Sequence, residues 1–575
     1  MQDRHTLRKV LCTLAVVVFC IDAHAASQAP VGARSGMVVT SQHLATKIGV
    51  DILKQGGNAV DAAVAIGYAL GVVFPGAASL GGGGFMTLQF ADGRKTFIDF
   101  REKAPLAAKA EMYLDRDGNV IRGLSTKGYL AAGVPGNVAG FELALARYGT
   151  MKRAAVLAPA IRLAQLGFVL EQADADMLAA VTEDFRADAP SAAIFLDKGE
   201  PFKAGQRLVQ ADLARTLRRI AYNGADGFYK GPIADAIVAS STRGKGIITK
   251  ADLERYTARE RAPIECDYRG YHIVSAPPPS SGGVIVCEIL GILEGYPLRD
   301  LGFRSAQAVH YQIEAMRHAY VDRNSYLGDP DFVRNPTERL LDKGYAARIR
   351  AAIDPVRAGV SGDLKPGVAP HEGTNTTHYS IVDKDGNAVA VTYTLNEWFG
   401  ARVTVATTGI LMNDEMDDFT VKPGVPNFYG LVQGEANSIA PGKRPLSSMA
   451  PTIVSRDGKP VLVIGAPGGS RIITVIVHLI LNTIDYGMNL QEAVDAPRFH
   501  QQWLPESTSV EEFALSPDTR RILTDMGHKF RDGRPWSHAI GIIVGAPSLG
   551  GAARDGNRFF GANDPRRDTG LALGY

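Results

Sequence analysis

The stretch Gly373-Thr374-Asn375-Thr376-Thr377-His378-Tyr379-Ser380-Ile381-Val382 continues through Asp383-Lys384-Asp385-Gly386-Asn387 into Ala388-Val389-Ala390-Val391-Thr392-Tyr393-Thr394-Leu395-Asn396. Its two flanking runs are rich in Val, Thr, Tyr and Ile, residues that favour β-strands. The Asp, Gly and Asn residues between the runs supply the backbone angles of a tight turn. The stretch therefore predicts a β-hairpin.

Similar patterns recur elsewhere in the chain. Residues 85–90 and 95–100 flank Ala91-Asp92-Gly93, and residues 452–455 and 460–464 flank Arg456-Asp457-Gly458-Lys459, so both pairs predict hairpins. Ser41 is the predicted N-cap of a first helix, and Asn58 that of a second over residues 59–73, which are apolar on nearly every side. Further helices are predicted over residues 134–147, 152–167, 173–182, 209–223, 232–241, 284–294, 305–324, 472–484 and 489–496. Hairpins with apolar helices before and after them predict an α/β (α+β) protein, a four-layer αββα sandwich of two antiparallel sheets covered by helices.

Composition narrows the class of protein. The chain has 575 residues, 46% hydrophobic and 21% charged, as in soluble globular proteins. Its 62 basic and 60 acidic residues leave a net charge of +2, without a basic run. We therefore expect no nucleic-acid partner.

The first residues resemble a targeting segment. Arg4, Arg8 and Lys9 precede the apolar residues 10–21, and Ala23-His24-Ala25 offers a cleavage site. The run is too short for a comfortable membrane span. We expect a signal peptide over residues 1–25 and a periplasmic or secreted protein without a stable membrane span; an uncleaved anchor is the alternative.

Two of the four cysteines, Cys12 and Cys20, lie inside that segment, which leaves Cys266 and Cys287 in the mature chain. In an exported protein these two could pair. A single pair is no disulfide framework, so we expect each to pack as a small apolar residue.

Five blocks of sequence together resemble one family. They are residues 99–102, 376–380, 411–419, 444–449 and 465–471. In this order they resemble the γ-glutamyltransferases (γ-glutamyl transpeptidases), members of the N-terminal-nucleophile hydrolases. The resemblance implies the αββα fold and a precursor that cuts itself between Asn375 and Thr376. It also implies a large subunit, residues 26–375, and a small catalytic subunit, residues 376–575, that form one interleaved heterodimer.

The chemistry of Thr376 accounts for such a cut. A threonine hydroxyl is a weak nucleophile unless a base takes its proton, and a free α-amine with a pKa of about 7.7 to 8.0 is such a base. An internal threonine has no free amine, so activity requires cleavage of the bond before it. On its own Thr376 would be one of many strand threonines, but five ordered blocks favour the nucleophile.

The resemblance assigns further roles to residues of these blocks and the hairpin. Gly468 and Gly469 match oxyanion-binding positions, Thr394 a threonine that orients the nucleophile, and Tyr429 a lid. Arg101, Ser447 and Ser448 match a clamp for the substrate α-carboxylate. A planar guanidinium suits this role because it can bind a carboxylate through two charge-assisted hydrogen bonds. Asn396, Glu415 and Asp418 match the acceptors of its α-ammonium, although many bacterial members carry Gln at the position of Glu415. For an isolated Arg101, an exposed ion pair with Glu102 is the alternative. Asp417 is expected to cap or pair locally.

These matches predict a self-processing γ-glutamyltransferase that acts on glutathione and related γ-glutamyl amides, with water, amino acids or peptides as acceptors. No cofactor is expected, and no metal site is predicted, because the chain has no H-E-x-x-H or C-x-x-C and its twelve histidines are scattered. A related N-terminal-nucleophile acylase, either a glutaryl or cephalosporin acylase or a poly-γ-glutamate-processing enzyme, is one alternative. A non-enzymatic exported binding protein that keeps the clamps without the cut is another.

Overall fold

The computed structural model describes residues 27–364 and 376–575. The predicted signal peptide and Asn375, on one side of the predicted cut, lie outside the described residues. Among the residues described, no helix combines the length and the apolar character that a membrane span requires.

The described strands are numbered in chain order. They are β1 Val31–Ala33, β2 Met37–Thr40, β3 Gly83–Gln89, β4 Lys95–Phe100, β5 Phe168–Val169, β6 Leu196–Asp197, β7 Glu200–Pro201, β8 Arg207–Leu208, β9 Arg259–Arg261, β10 Ile264–Tyr268, β11 Tyr271–Ser275, β12 Thr377–Val382, β13 Ala388–Thr394, β14 Thr404–Val405, β15 Ile410–Leu411, β16 Thr452–Arg456, β17 Lys459–Gly465, β18 Phe499–His500, β19 Thr508–Glu511, β20 Phe530–Gly533, β21 Ile540–Val544, β22 Phe559–Asn563 and β23 Leu571–Gly574.

The described helices are numbered in the same way. They are α1 His43–Lys54, α2 Ala59–Val73, α3 Asn137–Tyr148, α4 Arg153–Leu166, α5 Gln172–Ala180, α6 Thr182–Ala187, α7 Ala189–Phe195, α8 Ala211–Asn223, α9 Asp226–Tyr229, α10 Gly231–Arg243, α11 Lys250–Arg255, α12 Gly282–Leu293, α13 Leu298–Leu301, α14 Ala306–Tyr326, α15 Thr337–Leu340, α16 Lys343–Ala352, α17 Arg471–Ile484, α18 Leu490–Asp495 and α19 Pro517–Asp525.

Two seven-stranded antiparallel sheets form the centre of the protein. The first has the strand order β1-β22-β21-β17-β16-β11-β10, and the second has the order β23-β2-β12-β13-β3-β4-β9. The sheets pack face to face, with β12 against β21 and β13 against β17. Helix α2 covers the outer face of the second sheet, and α12 and α17 cover that of the first. The predicted αββα sandwich is confirmed.

The side chains of the β12–β13 hairpin alternate between its two faces. One face contacts a covering helix, and the other contacts the facing sheet. On one face the Tyr379 hydroxyl donates to the carbonyl of Ala63 in α2 at 3.0 Å. On the other face His378 packs so tightly against Gly465 of β17 that a Cβ there would lie 2.0 Å from its ring. The hairpin is therefore pinned to a helix on one side and to the facing sheet on the other.

Helix α2 has the start that its sequence predicts. The Asn58 side chain accepts from the N–H groups of Val60 and Asp61 at 2.9 and 3.0 Å, and Asp61 Oδ2 accepts from the Asn58 N–H at 2.9 Å. This capping box satisfies N–H groups that have no partner within the helix. All fifteen residues of α2 are buried, as expected for a helix that is apolar on every side.

The predicted cap of α1 is wrong by one residue. Gln42, not Ser41, is the N-cap, because its side-chain oxygen accepts from the N–H groups of Leu44 and Ala45 at 2.7 and 3.3 Å. The Ser41 hydroxyl lies instead 3.2 Å from Nδ1 of His538, close to the facing sheet. The local pattern favours Ser41 as the cap, but its hydroxyl contacts His538, which is remote in sequence.

Most other helix ends fall close to prediction. The helices expected over residues 152–167, 209–223 and 232–241 are α4, α8 and α10, whose ends differ by at most two residues. Helix α3 begins three residues later than expected, at Asn137. Its predicted first residue, Val134, instead donates its N–H to the carbonyl of Lys103 at 2.8 Å, in a β-bridge.

The expectation of two separately packed cysteines is wrong. Cys266 in β10 and Cys287 in α12 form a disulfide, with a Cα–Cα distance of 6.0 Å. Helix α12 packs on β10, and this contact brings together two residues that are 21 positions apart. Nothing in their local sequence indicates that approach.

Candidate active site

The hydroxyl of Thr376 lies in the interior, one residue before β12, with 4% of the residue exposed. Its Oγ1 lies 3.4 Å from Oγ1 of Thr394, to which it donates. The N–H of Asn396 donates to the same Thr394 oxygen at 2.9 Å. Because Thr377 pairs with Tyr393 across the hairpin, the two predicted hydroxyls come to lie side by side at its open end.

A glycine turn joins β17 to α17 beside this hairpin. Gly468 and Gly469 have φ angles of 135° and 55°, in the left-handed region that favours glycine. A Cβ on Gly469 would lie 2.3 Å from the ring of Tyr429, and one on Gly468 would lie 3.2 Å from Oγ of Ser537. The turn precedes a fourteen-residue helix, whose N-terminal end carries a partial positive charge. An oxyanion needs such an environment, with backbone N–H groups close to a helix start.

Arg101 forms the centre of a buried cluster of charge. Its two terminal nitrogens contact carboxylate oxygens of Glu415 and Asp418, and Glu102 Oε2 lies 3.5 Å away. Its Nε donates to the carbonyl of Pro445 at 3.2 Å. Arg101 is fully buried, so the alternative of an exposed ion pair with Glu102 is wrong.

The charges of this cluster shift one another's pKa values. Burial alone would lower the pKa of Arg101, but the carboxylates of Glu415, Asp418 and Glu102 outweigh it and raise that pKa. Burial raises the pKa of Glu102 to about 8 and that of Glu415 well above its ordinary value, although Arg101 opposes both shifts. One arginine thus contacts two acidic side chains and lies near a third.

The two predicted serines line the same cavity as Arg101, and each already has a hydrogen-bond partner. Ser447 Oγ accepts from the Met449 N–H at 3.1 Å. Ser448 Oγ accepts from a terminal nitrogen of Arg323 at 2.8 Å. Arg323 belongs to α14, and burial lowers its pKa to about 10. This arginine was not predicted, because it lies in none of the five blocks.

Tyr429 forms part of the wall around Thr376. Its hydroxyl donates to the carbonyl of Asn396 at 2.9 Å, while the Asn396 side-chain amide donates to the carbonyl of Asp414 at 3.1 Å. Asp417 accepts from the Phe428 N–H at 2.9 Å and from the Ser125 hydroxyl at 2.7 Å. Asp417 therefore holds the segment that carries Tyr429.

These side chains line one small cavity of about 20 Å³. Its wall contains the predicted residues Arg101, Thr376, Thr394, Asn396, Glu415, Asp418, Tyr429, Ser447, Ser448 and Gly469. It also contains five residues that were not predicted, namely Arg323, Leu431, Met449, Ser470 and Ile472. Gly468 adjoins the wall through Gly469. The Thr376 hydroxyl, a helix start and a set of opposite charges thus line one small, polar cavity.

A family profile and two related proteins point to the same family of enzymes. The family profile described as gamma-glutamyltranspeptidase matches residues 45–574. The chain is 68% identical to a glutathione hydrolase proenzyme of Pseudomonas sp. (strain A14) over 571 residues, 99% of each chain. It is 52% identical to the glutathione hydrolase proenzyme of Escherichia coli (strain K12) over 548 residues, 95% of this chain and 93% of the relative.

A solved structure matches across nearly the whole chain. The crystal structure of cephalosporin acylase from Bacillus halodurans superimposes with a TM-score of 0.83 at 29% sequence identity. The superposition covers 97% of this chain and 98% of the acylase.

Proposed function

Because this chain belongs to the γ-glutamyltranspeptidase family, we propose that it is a self-processing enzyme that transfers the γ-glutamyl group of glutathione. Related γ-glutamyl amides serve as donors, and water, amino acids or peptides serve as acceptors. The observation that carries this proposal is the single buried cavity that holds the Thr376 hydroxyl together with Arg101, Glu415 and Asp418.

Maturation begins at the hydroxyl that later catalyses turnover. Thr376 Oγ1 attacks the carbonyl carbon of Asn375, and an ester forms as the peptide C–N bond breaks. The hydroxyl proton passes to the departing nitrogen, which becomes the free α-amine of Thr376. Water then hydrolyses the ester, which leaves a carboxylate on Asn375 and restores the Thr376 hydroxyl. With removal of residues 1–25, the products are chains of 350 residues, 26–375, and 200 residues, 376–575.

In turnover the new α-amine takes the proton of the Thr376 hydroxyl, which attacks the γ-carbonyl of the donor. The N–H groups of Gly468 and Gly469 stabilise the oxyanion, and Thr394 orients the nucleophile. The amine returns the proton to the leaving nitrogen, so cysteinylglycine departs from glutathione. Water or an acceptor amine then attacks the γ-glutamyl ester and regenerates the hydroxyl.

The charged cluster recognises the other end of the γ-glutamyl group. Arg101, Ser447 and Ser448 bind its α-carboxylate, and Asn396, Glu415 and Asp418 bind its α-ammonium. Arg101 contacts two of these carboxylates in the described structure, so the groups proposed to bind the α-carboxylate and the α-ammonium already lie side by side. Tyr429 screens the ester from bulk water.

Processing gives the most direct test of the proposal. We expect purified protein to run as two bands on denaturing electrophoresis and Thr376→Ala to remain one inactive band, because it has no hydroxyl for the first attack. Thr376→Ser keeps a hydroxyl and should still be cut. Active wild-type protein with an intact bond between residues 375 and 376, seen by mass spectrometry, would rule out the mechanism.

We further propose that the protein is exported, with its mature end at residue 26. The positively charged and apolar residues that precede Ala23-His24-Ala25 support export. Sequencing the N-terminus of the larger mature chain tests the position of this cleavage.

The structural similarity to a cephalosporin acylase favours one second candidate, an acylase for glutaryl or related groups. Such acyl groups lack the α-ammonium that Glu415 and Asp418 would bind. Turnover of γ-glutamyl and glutaryl anilides by the same preparation separates the two functions. A preference for the glutaryl anilide would favour the acylase.

A further inference from the structure

Three side chains from two segments that lie far apart in sequence meet in one buried cluster. His310 and Glu314 lie about one turn apart on α14, and His528 lies two residues before β20. One ligand atom from each residue lies within 4.8 Å of the other two. All three residues are buried, with exposures of 0%, 2% and 3%.

Hydrogen bonds fix the protonation of the two rings. His310 Nε2 lies 2.8 Å from the carbonyl oxygen of Asp354, which can only accept, so Nε2 carries the hydrogen. Nδ1 of the neutral His310 ring is then a lone pair, and it lies 2.8 Å from Nε2 of His528. Burial lowers the pKa of both rings, that of His528 to about 3. Metal-binding histidines commonly have this arrangement, a neutral ring whose other N–H donates to a backbone carbonyl.

The cluster is polar but incompletely satisfied. Among the described residues, Oε1 of Glu314 and Nδ1 of His528 have no hydrogen-bond partner. The other carboxylate oxygen of Glu314 lies 3.4 Å from Nε of Arg317. The Arg317 cation is itself balanced by Glu506, 3.0 Å away. Buried polar atoms normally have partners, so two such atoms in one cluster call for an explanation.

We propose that His310, Glu314 and His528 form a binding site for one divalent transition-metal ion of the Zn²⁺ type. Imidazole nitrogen and carboxylate oxygen are zinc ligands at about 2.0 to 2.2 Å, which puts tetrahedral ligand atoms about 3.3 Å apart. The two ring nitrogens, now 2.8 Å apart, have to separate slightly, and the three ligand atoms already lie within 4.8 Å of one another. The ion replaces the hydrogen between the rings, which moves to Nδ1 of His528, and water fills the fourth position. The ion thus gives Oε1 of Glu314 a partner, whereas Nδ1 of His528 becomes an N–H donor that lies outside the coordination.

The position of this site indicates a structural role. His310 and Glu314 precede the cut at residues 375 and 376, whereas His528 follows it, so one ion would tie the two mature chains together. Asp354, whose carbonyl contacts His310, begins an exposed stretch, and a Cβ on Gly359 of that stretch would lie 2.7 Å from Oε2 of Glu314. None of the three ligands belongs to the described wall of the Thr376 cavity.

Zinc content tests the proposal independently of turnover, so its failure would leave the proposed enzymatic function intact. Untagged full-length protein is stripped with a chelator, exposed to ZnCl₂, desalted and analysed by mass spectrometry for zinc. We expect about one zinc per protein in the wild type and at least a tenfold weaker zinc affinity in His310→Gln, His528→Gln and Glu314→Gln. Glu314→Gln has nearly the same shape as the native residue, and circular dichroism checks that each variant is folded.

A surface histidine provides the matched control. His272 lies 2.6 and 2.8 Å from carboxylate oxygens of Glu265 and Asp267, so it could bind zinc adventitiously. We expect His272→Gln to retain its zinc and, with Co²⁺ in place of zinc, to show the visible absorption of a tetrahedral site. The proposal is overturned if this variant retains no zinc, or if zinc binding survives unchanged in Glu314→Gln and His528→Gln. If the cluster variants do not fold, the Co²⁺ spectrum of His272→Gln decides, and absence of that absorption overturns the site.

Discussion

Arg101 illustrates how a single side chain organises the site, because its contacts require a planar, forked group. Two terminal nitrogens face Glu415 and Asp418 while Nε donates to a backbone carbonyl. A lysine would offer one compact charge on a flexible stem. It could neither hold both acids apart nor present a fork to a carboxylate.

We therefore expect Arg101→Lys to lower kcat/KM for glutathione about 10- to 100-fold, the loss that goes with one or two charge-assisted hydrogen bonds. Most of the change should appear in KM, and steady-state kinetics on fully processed protein measure it. Arg94→Lys is the control, because exposed Arg94 pairs with Asp92 far from the cavity. Equal kcat/KM values for Arg101→Lys and the wild type would contradict the clamp.

Glu102 links the same cluster to pH. Burial raises its pKa from the ordinary 4.5 to about 8. Between these pH values the folded chain keeps a proton that the unfolded chain has lost, so the free energy of unfolding falls as pH rises from about 4.5 to about 8. Glu102→Gln removes this titration, and the fall in melting temperature from pH 5 to pH 8 should become smaller.

Thermal unfolding at the two pH values measures this effect. Glu183→Gln serves as the control, since the Glu183 side chain is 86% exposed and its loss should leave the pH dependence as in the wild type. Identical slopes for Glu102→Gln and the wild type would show that Glu102 is ionised in the folded protein at pH 7.

At the scale of elements, the turn before α17 combines two demands on glycine. Gly469 and Gly487 have φ angles of 55° and 64°, so alanine is strained at either position. A Cβ meets the Tyr429 ring only at Gly469; at Gly487 it meets no heavy atom within 4 Å in the described part of the chain. Comparing alanine variants at Gly469 and Gly487 therefore separates the effect of backbone strain from that of a clash between the new Cβ and the Tyr429 ring.

We expect Gly469→Ala to lower kcat/KM at least 100-fold, because it moves both an oxyanion-binding N–H and Tyr429. Gly487→Ala should cost about 1 kcal/mol of stability and leave kcat/KM unchanged. Kinetics and thermal unfolding of both variants measure these effects. A similar loss of activity in both would place the cause in strain alone.

Elements with a strong local pattern could be predicted from sequence, and contacts between remote segments could not. The alternation in β12 and β13 and the uniformly apolar run of α2 specify both type and burial, because periodicity is a local property. The meeting of Arg323 with Ser448 and of Cys266 with Cys287 depends on how helices settle on sheets. Most of the cavity wall was predictable for a different reason, since motif resemblance identified residues such as Arg101 and Gly469.

On the scale of the whole molecule, the two segments on either side of the junction share both sheets. In the second sheet β12 and β13, which follow the junction, lie between β2 and β3, which precede it. Backbone hydrogen bonds on both flanks therefore hold the later segment within the earlier one.

We expect the chains produced by cleavage to remain one particle under native conditions. Size-exclusion chromatography should give the processed protein the elution volume of the uncut Thr376→Ala precursor, with separation only in denaturant. Elution of residues 26–375 on their own would contradict the interleaved arrangement.

Strands β12 and β13 insert between β2 and β3, which are translated first. This order has a consequence for how the protein is encoded. Two genes encoding the halves separately would yield polypeptides with bare strand edges, which readily mispair. A single reading frame avoids this mispairing, since the strands of each half are synthesised together with the strands they pair with. We therefore expect the proposed cleavage before Thr376 to follow the pairing of the last strand, β23.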